Sequence, residues 1–256
     1  MAHSHRERFD CARTPHCRAA RQTAPHTTGN IVDVWYHHWK NGLRKKPTAM
    51  IAESARLGTD VTIEAYAVIG EEVVIGDRGW IGAHVVVGDG TTMGSDVRLY
   101  ASATVYPHVE LGDRVILHAG ARVGRDGFGF RPGPAGPVRV PHVGRCVLES
   151  DVEVGANSCI DRGSIDDTII GAFTKLDSLV HVAHNVRVGK GCFMAMGVGI
   201  AGSSRIGDGV QFGGQSGAGN HSIIGERCAC QADVLRFSGP SPPRAAAVVG
   251  CVGPSR

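Results

Sequence analysis

Stepping through the chain in sixes from Ile51 lands on Leu57, Ile63, Ile69, Ile75, Ile81, Val87, Met93, Leu99, Val105, Leu111, Leu117 and Val123, and every one is aliphatic or Met. With roughly a third of residues in that class, thirteen agreements by chance are of order one in a million. The residue after the anchor is Gly in eight of these hexads: Gly58, Gly70, Gly76, Gly82, Gly88, Gly94, Gly112 and Gly124. Four places after the anchor stand small or branched residues such as Val61, Ala67, Val73, Val85, Val97, Ala103, Val109, Val115 and Ala121. The pattern predicts an all-β chain wound as a parallel β-helix. Each hexad is a short strand plus a corner: the anchor fills the interior, the next residue turns, and the fourth packs inside again. Three sides close a triangular coil of roughly eighteen residues, and coils stack about 4.8 Å apart. Gly suits the corners because it tolerates unusual φ and lets backbones approach.

The phase breaks over 125–142, where Gly127, Gly129, Pro132, Gly133, Pro134, Gly136 and Pro137 predict a loop excursion from the coil. A loop of that length on a regular scaffold is usually functional. Hexads resume at Leu148, Val154 and Ile160, slip by four residues, and run from Ile170 to Ile224. About nine coils are expected, within a β-helix domain spanning 48–232. Residues 1–47 form an irregular basic head in which a short helix over 32–41 is possible, and 233–256 read as an irregular tail.

Charge sharpens this division. The formal net charge is only +3. Residues 1–46 hold nine Lys or Arg against three Asp or Glu, a balance of +6 that leaves the rest at −3. The head could make loose contact with phosphates or a membrane surface, while nothing positive supports nucleic-acid recognition. Its His and Cys residues fit no zinc-finger spacing. No apolar run reaches about 18 residues, so no membrane span is expected. An apolar signal-peptide core is also missing. The eight cysteines form no secreted-protein framework, so a reducing, cytoplasmic home is expected.

Chemistry concentrates where polar residues break the hexad grammar, over 157–185. This stretch carries Asp161, Arg162, Asp166, Asp167, Asp177, His181, His184 and Asn185. Such density on a β-helix flank is often a solvated face. His181, beside the anchor Val182, reads as solvent-facing. The Asp166–Asp167 pair reads as structural, because adjacent strand residues point to opposite faces. Stacking by eighteen carries His184 to Gly202, and His221 follows thirty-seven after His184, so the three are expected on one face. A His beside exposed backbone N–H groups suits a general base next to an oxyanion donor, the pair that acyl transfer needs.

The runs DGFGF (126–130), IDRGSIDDTIIG (160–171), KLDSLVHVAHNVRVG (175–189) and GGQSGAGNH (213–221) resemble the UDP-3-O-acylglucosamine N-acyltransferase (LpxD) family of lipid A biosynthesis. The resemblance covers roughly residues 48–230. It implies a left-handed β-helix, assembled as a homotrimer with active sites between subunits. It also implies transfer of a (3R)-hydroxyacyl chain from acyl carrier protein to the 2-amine of UDP-3-O-acylglucosamine, with no metal and no diffusible cofactor. On this resemblance His184 is the base, Asp177 orients it or stabilises its imidazolium, Gly202 offers its N–H to the oxyanion, and His221 lies near the thioester. Residues 1–47 and 233–256 do not resemble the uridine-binding head domain and the C-terminal helices that the family carries. The alternatives are another sugar-nucleotide acyl- or acetyltransferase of the hexapeptide class, a β-helix carbonic anhydrase, for which His181, His184 and His221 lack the spacing, or an inactive truncated paralogue.

Overall fold

The computed structural model describes residues 45–232; the possible helix over 32–41 and the tail beyond 232 lie outside the described residues. Two-residue strands recur every six positions and form three nine-stranded parallel sheets, the faces of a left-handed β-helix of nine coils. The first face begins with Met50–Ile51, the second with Arg56–Leu57 and the third with Thr62–Ile63. Among the described residues no helix is long and apolar enough to cross a membrane.

The anchors stand where the periodicity places them, the second residue of every two-residue strand of the coils, and from Ile63 to Ile224 they are buried. Residues four places on, such as Ala67, Val73 and Val115, fill the same interior. Each large aliphatic side chain so buried stabilises the coil by about 1.5–3 kcal/mol.

The corner chemistry differs from the sequence expectation. The left-handed backbone region is adopted three places after the anchor, by non-glycine residues such as Asp60 (φ 56°), Tyr66 (φ 61°) and Ser102 (φ 61°). Apart from Gly124 (φ 88°), the glycines that follow the anchors serve close approach instead. A Cβ on Gly76 would lie 2.6 Å from the backbone C and O of Gly94 in the next coil. Real Cβ atoms do not come that near to backbone, so only Gly allows this coil spacing.

The register explains both breaks in the periodicity. Elsewhere strand partners stand 18 apart, as Met50 with Val68. Arg122 pairs with Cys159, which leaves room for an excursion that is itself folded: Phe130–Arg131 and Val138–Arg139 form an antiparallel hairpin. In the following coil Cys159 pairs with His181, four residues longer than the norm, which accounts for the slip. Both insertions leave the first face and return on the second, so they project from one corner of the triangle in successive coils.

Ion pairs tie neighbouring coils along the surface: Arg78–Asp96, Arg114–Asp151 and Arg145–Asp167, each at 2.7 Å. In each case a direct hydrogen bond from the guanidinium holds the carboxyl below the usual carboxylate range. A folded pKa below the unfolded value, about 3.9 for Asp, gives stabilisation that is present above that value and lost as pH falls through the folded one. These pairs are largely exposed, so the effect is modest and screened by salt. We expect the acid-induced fall in thermal midpoint below about pH 4 to be shallower in Arg114→Gln than in the wild-type chain at low salt. Equal slopes in circular-dichroism melts would contradict the assignment.

Candidate active site

The corner that carries both insertions also carries, one coil further on, His184 and Asn185 between the strands His181–Val182 and Arg187–Val188. Gly202–Ser203 and Asn220–His221 follow at the same corner in the next two coils. The sequence therefore gathers its irregular segments and its polar corner residues into one column.

Asn185 is the keystone. It is buried, adopts φ 60°, and donates its backbone N–H to Thr168 Oγ1 at 2.9 Å. Its Oδ1 accepts from the Ser164 N–H at 3.0 Å and from the Ser164 hydroxyl at 2.6 Å. A backbone N–H can only donate, which fixes this atom as the amide oxygen. His184 Nδ1 lies 2.9 Å from the same oxygen and must therefore carry a proton. The neutral imidazole then presents a lone pair at Nε2, the form a general base requires.

Gly202 stacks against that nitrogen. A Cβ at Gly202 would lie 2.9 Å from both Cε1 and Nε2 of His184. At the equivalent position in other corners, the N–H of Thr59, Glu71, Ser95 or Lys190 is capped by an Asp of the next coil, Glu71 lying in the same column as Gly202. Here the next coil offers Asn220 instead, and the Gly202 N–H has no acceptor among the described residues.

The base of the hairpin closes over the other side of the imidazole. A Cβ on Gly127 would lie 2.9 Å from His142 Nε2 and 3.1 Å from His184 Cβ. His142 is buried, packs edge-on to His184 with ring centroids 5.3 Å apart, and donates Nδ1–H to the Val140 carbonyl at 3.0 Å. Its Nε2 has no partner among the described residues. Sequence reading did not single out His142, which lies in the aperiodic segment, and only its return toward the coil could have drawn notice. Asp161 likewise reads in the sequence as one charge among many. It is fully buried and bonded to Arg125 at 2.9 Å, and burial pushes its carboxyl above the ordinary range against the pull of His181, Arg125, His184 and His142.

Two expectations need correction in this geometry. The true stacking partner of His184 and Gly202 is Asn220, and His221 is one residue further on, below Ser203, with its backbone N–H donating to the Gly202 carbonyl at 3.0 Å. His221 therefore shares the corner but stands two coils from His184, at a left-handed position (φ 56°) with its side chain exposed. Asp177 follows the strand Lys175–Leu176 of the third face, so it occupies a different corner of the same coil, where its carboxylate accepts the Ser178 N–H at 2.7 Å. Asp167, in contrast, takes the structural part expected of it, paired with Arg145.

The described insertions also expose apolar side chains beside the column: Phe128, Val143 and Ile165 are 82%, 75% and 83% exposed, enough to suit an acyl chain or a second subunit.

Comparison with known proteins finds the same hexapeptide repeat. The family model "Bacterial transferase hexapeptide (six repeats)" matches residues 90–125. A UDP-3-O-acylglucosamine N-acyltransferase from Caulobacter sp. (strain K31) is 55% identical over 115 residues, covering 45% of this chain and 34% of the relative. The protein of the same name from Granulibacter bethesdensis (strain ATCC BAA-1260 / CGDNIH1) is 60% identical over 96 residues, covering 38% and 28%. The match thus spans about a third of the length of such curated relatives. A crystal structure of UDP-N-acetylglucosamine acyltransferase superposes with a TM-score of 0.56 at 24% identity, over 74% of this chain and 64% of that one, and supports the fold alone.

Proposed function

We propose that the chain belongs to the UDP-3-O-acylglucosamine N-acyltransferase family, which its matched residues resemble, and that it moves a (3R)-hydroxyacyl chain from acyl carrier protein to the 2-amine of UDP-3-O-acylglucosamine, a step of lipid A biosynthesis. The observation that carries the reading is the His184 imidazole, held by Asn185 in the tautomer with a free Nε2 lone pair and packed against Gly202, whose N–H has no acceptor among the described residues.

In this mechanism the acceptor amine attacks the thioester carbonyl while His184 Nε2 takes a proton from its nitrogen. The carbonyl oxygen becomes an oxyanion that accepts the Gly202 N–H. Collapse of the tetrahedral intermediate breaks the carbon–sulfur bond, and the imidazolium returns the proton to the departing thiolate. An amide and a free carrier-protein thiol result, so neither metal nor diffusible cofactor enters the balance. His142 packs on the ring and keeps it in plane.

Asp177, on a different corner, reaches a His184 only across a subunit boundary, which fits a homotrimer with shared sites. His221, two coils along, meets the phosphopantetheine arm of the carrier protein in this reading. The exposed Phe128, Val143 and Ile165 suit a groove that a second subunit completes around the acyl chain.

Donor competition tests the reading. The chain is expected to consume hydroxyacyl carrier protein in the presence of excess acetyl-coenzyme A, and preferential use of acetyl-coenzyme A would favour an acetyltransferase. Gly202→Ala places a methyl group against Nε2 and the oxyanion position, so it is expected to lower kcat by about 10²-fold with KM little changed, in the range seen for loss of an oxyanion contact. A KM effect alone would show that Gly202 lines a binding surface only.

A further inference from the structure

The outer side of the first face carries a second cluster, built by strand register. Cys159 pairs directly with His181 of the next coil, and Asp161 stands two residues along the strand from Cys159, so all three project on the same side. One donor atom from each lies within 4.8 Å of the others. His181 Nε2 is 3.6 Å from Asp161 Oδ2, and Cys159 Sγ is 4.0 Å from Asp161 Oδ1. Asp161 is fully buried, yet its Oδ2 has no hydrogen-bond partner among the described residues. A buried carboxylate oxygen aimed at a thiol and an imidazole is costly to leave unmatched.

We propose that Cys159, Asp161 and His181 bind a divalent transition-metal ion of the zinc class. The donor set of one sulfur, one nitrogen and one oxygen suits a borderline-soft tetrahedral ion. Bonds of about 2.0–2.3 Å place tetrahedral ligand atoms about 3.3–3.6 Å apart, so the 3.6 Å edge between His181 and Asp161 is already near that spacing, and the edges to Cys159, no longer than 4.8 Å, close on binding. Arg125 supplies the outer support: its Nε donates to Cys159 Sγ at 3.1 Å and lies 2.9 Å from Asp161 Oδ1. It thereby holds the carboxylate with Oδ2 turned to the ion and favours the thiolate. Cys159 loses its thiol proton to solvent as the sulfur–metal bond forms. With Asp161 ionised and the Arg125 charge included, the three ligands and Arg125 carry a net −1, which a dication overcomes. His181 is 45% exposed, which leaves the fourth position open to water. All three ligands come from one chain, unlike a zinc held by histidines across a subunit boundary, and the site stands independently of the acyl-transfer reading.

The probe is Co2+ titrated into the reduced full-length chain. The wild-type chain is expected to show a near-ultraviolet sulfur-to-cobalt charge-transfer band with the visible bands of tetrahedral Co2+, saturating at one ion per chain and bleached by Zn2+. Cys159→Ser is expected to lose the charge-transfer band, and His181→Gln to bind at least ten-fold more weakly, both with wild-type circular dichroism. Two variants guard against a folding failure in either. A band that persists in Cys159→Ser places the ion on other cysteines and overturns the proposal. Absence of tetrahedral bands in the wild-type chain does so too, leaving Asp161 and His181 as an ion pair.

Discussion

His184→Ala is expected to lower kcat/KM for acyl transfer by at least about 10³-fold, within the range that a positioned general base contributes. The loss falls on kcat, because the imidazole acts on a proton that moves only as the amine attacks. Stability should change little, since His184 is half-buried and, among the described residues, its side chain hydrogen-bonds only to Asn185, which keeps two other donors. Steady-state kinetics beside a thermal melt separate the two effects. Activity retained in a folded His184→Ala chain would move the base elsewhere, and His142, whose Nε2 lone pair is 2.9 Å from the Cβ position of Gly127, would be the next residue to test.

Asn185→Gly is expected to combine a rate loss of about 10–100-fold with a lower thermal midpoint, as for removal of a group that fixes a ligand's or base's tautomer. Gly is the right probe here because it tolerates the φ of 60° that Asn185 adopts, so backbone strain is not the cause of any loss. Deleting the amide leaves His184 Nδ1–H and the Ser164 N–H and hydroxyl without their acceptor. Each buried donor so orphaned costs about 1–3 kcal/mol where water cannot reach it. The Ser164 loop loosens, and the imidazole becomes free to rotate and to exchange tautomers. Asn185→Asp keeps the acceptor and is expected to retain most of the stability and more of the rate than Asn185→Gly. Equal activity in the two variants would show that the tautomer is held by something other than Oδ1.

How much of this was legible in the sequence follows from what each residue reports. The sixfold period encodes which side chains are interior, so the anchors and their plus-four partners, the nine coils and the excursion could all be read from it. The backbone conformation of most corners could not, because many left-handed positions hold Asp, Tyr, His, Arg or Ser, whose identities do not mark a positive φ as Gly90, Gly120, Gly191, Gly197 and Gly209 do. The glycines after the anchors are conspicuous for a different reason, the close passage of the next coil.

At the site, His184 and Gly202 stack as a step of eighteen predicts, whereas His221, at thirty-seven, misses the column by one residue. Asp177 is only seven residues from His184, yet the chain turns a corner between them, so nearness in sequence becomes separation in space. Asp161 and His142 were hidden for opposite reasons. Asp161 is surrounded by other acids in sequence but is itself buried, and His142 lies in an aperiodic segment whose fold no pattern announces.

The most direct test of the account is mass-spectrometric detection of the product when the purified chain is incubated with (3R)-hydroxyacyl carrier protein and UDP-3-O-acylglucosamine. The account predicts a UDP-sugar heavier by one hydroxyacyl group, joined through a base-stable amide, with one free carrier-protein thiol released per product and neither formed by His184→Ala. A folded wild-type chain that releases no thiol and yields no amide would contradict it.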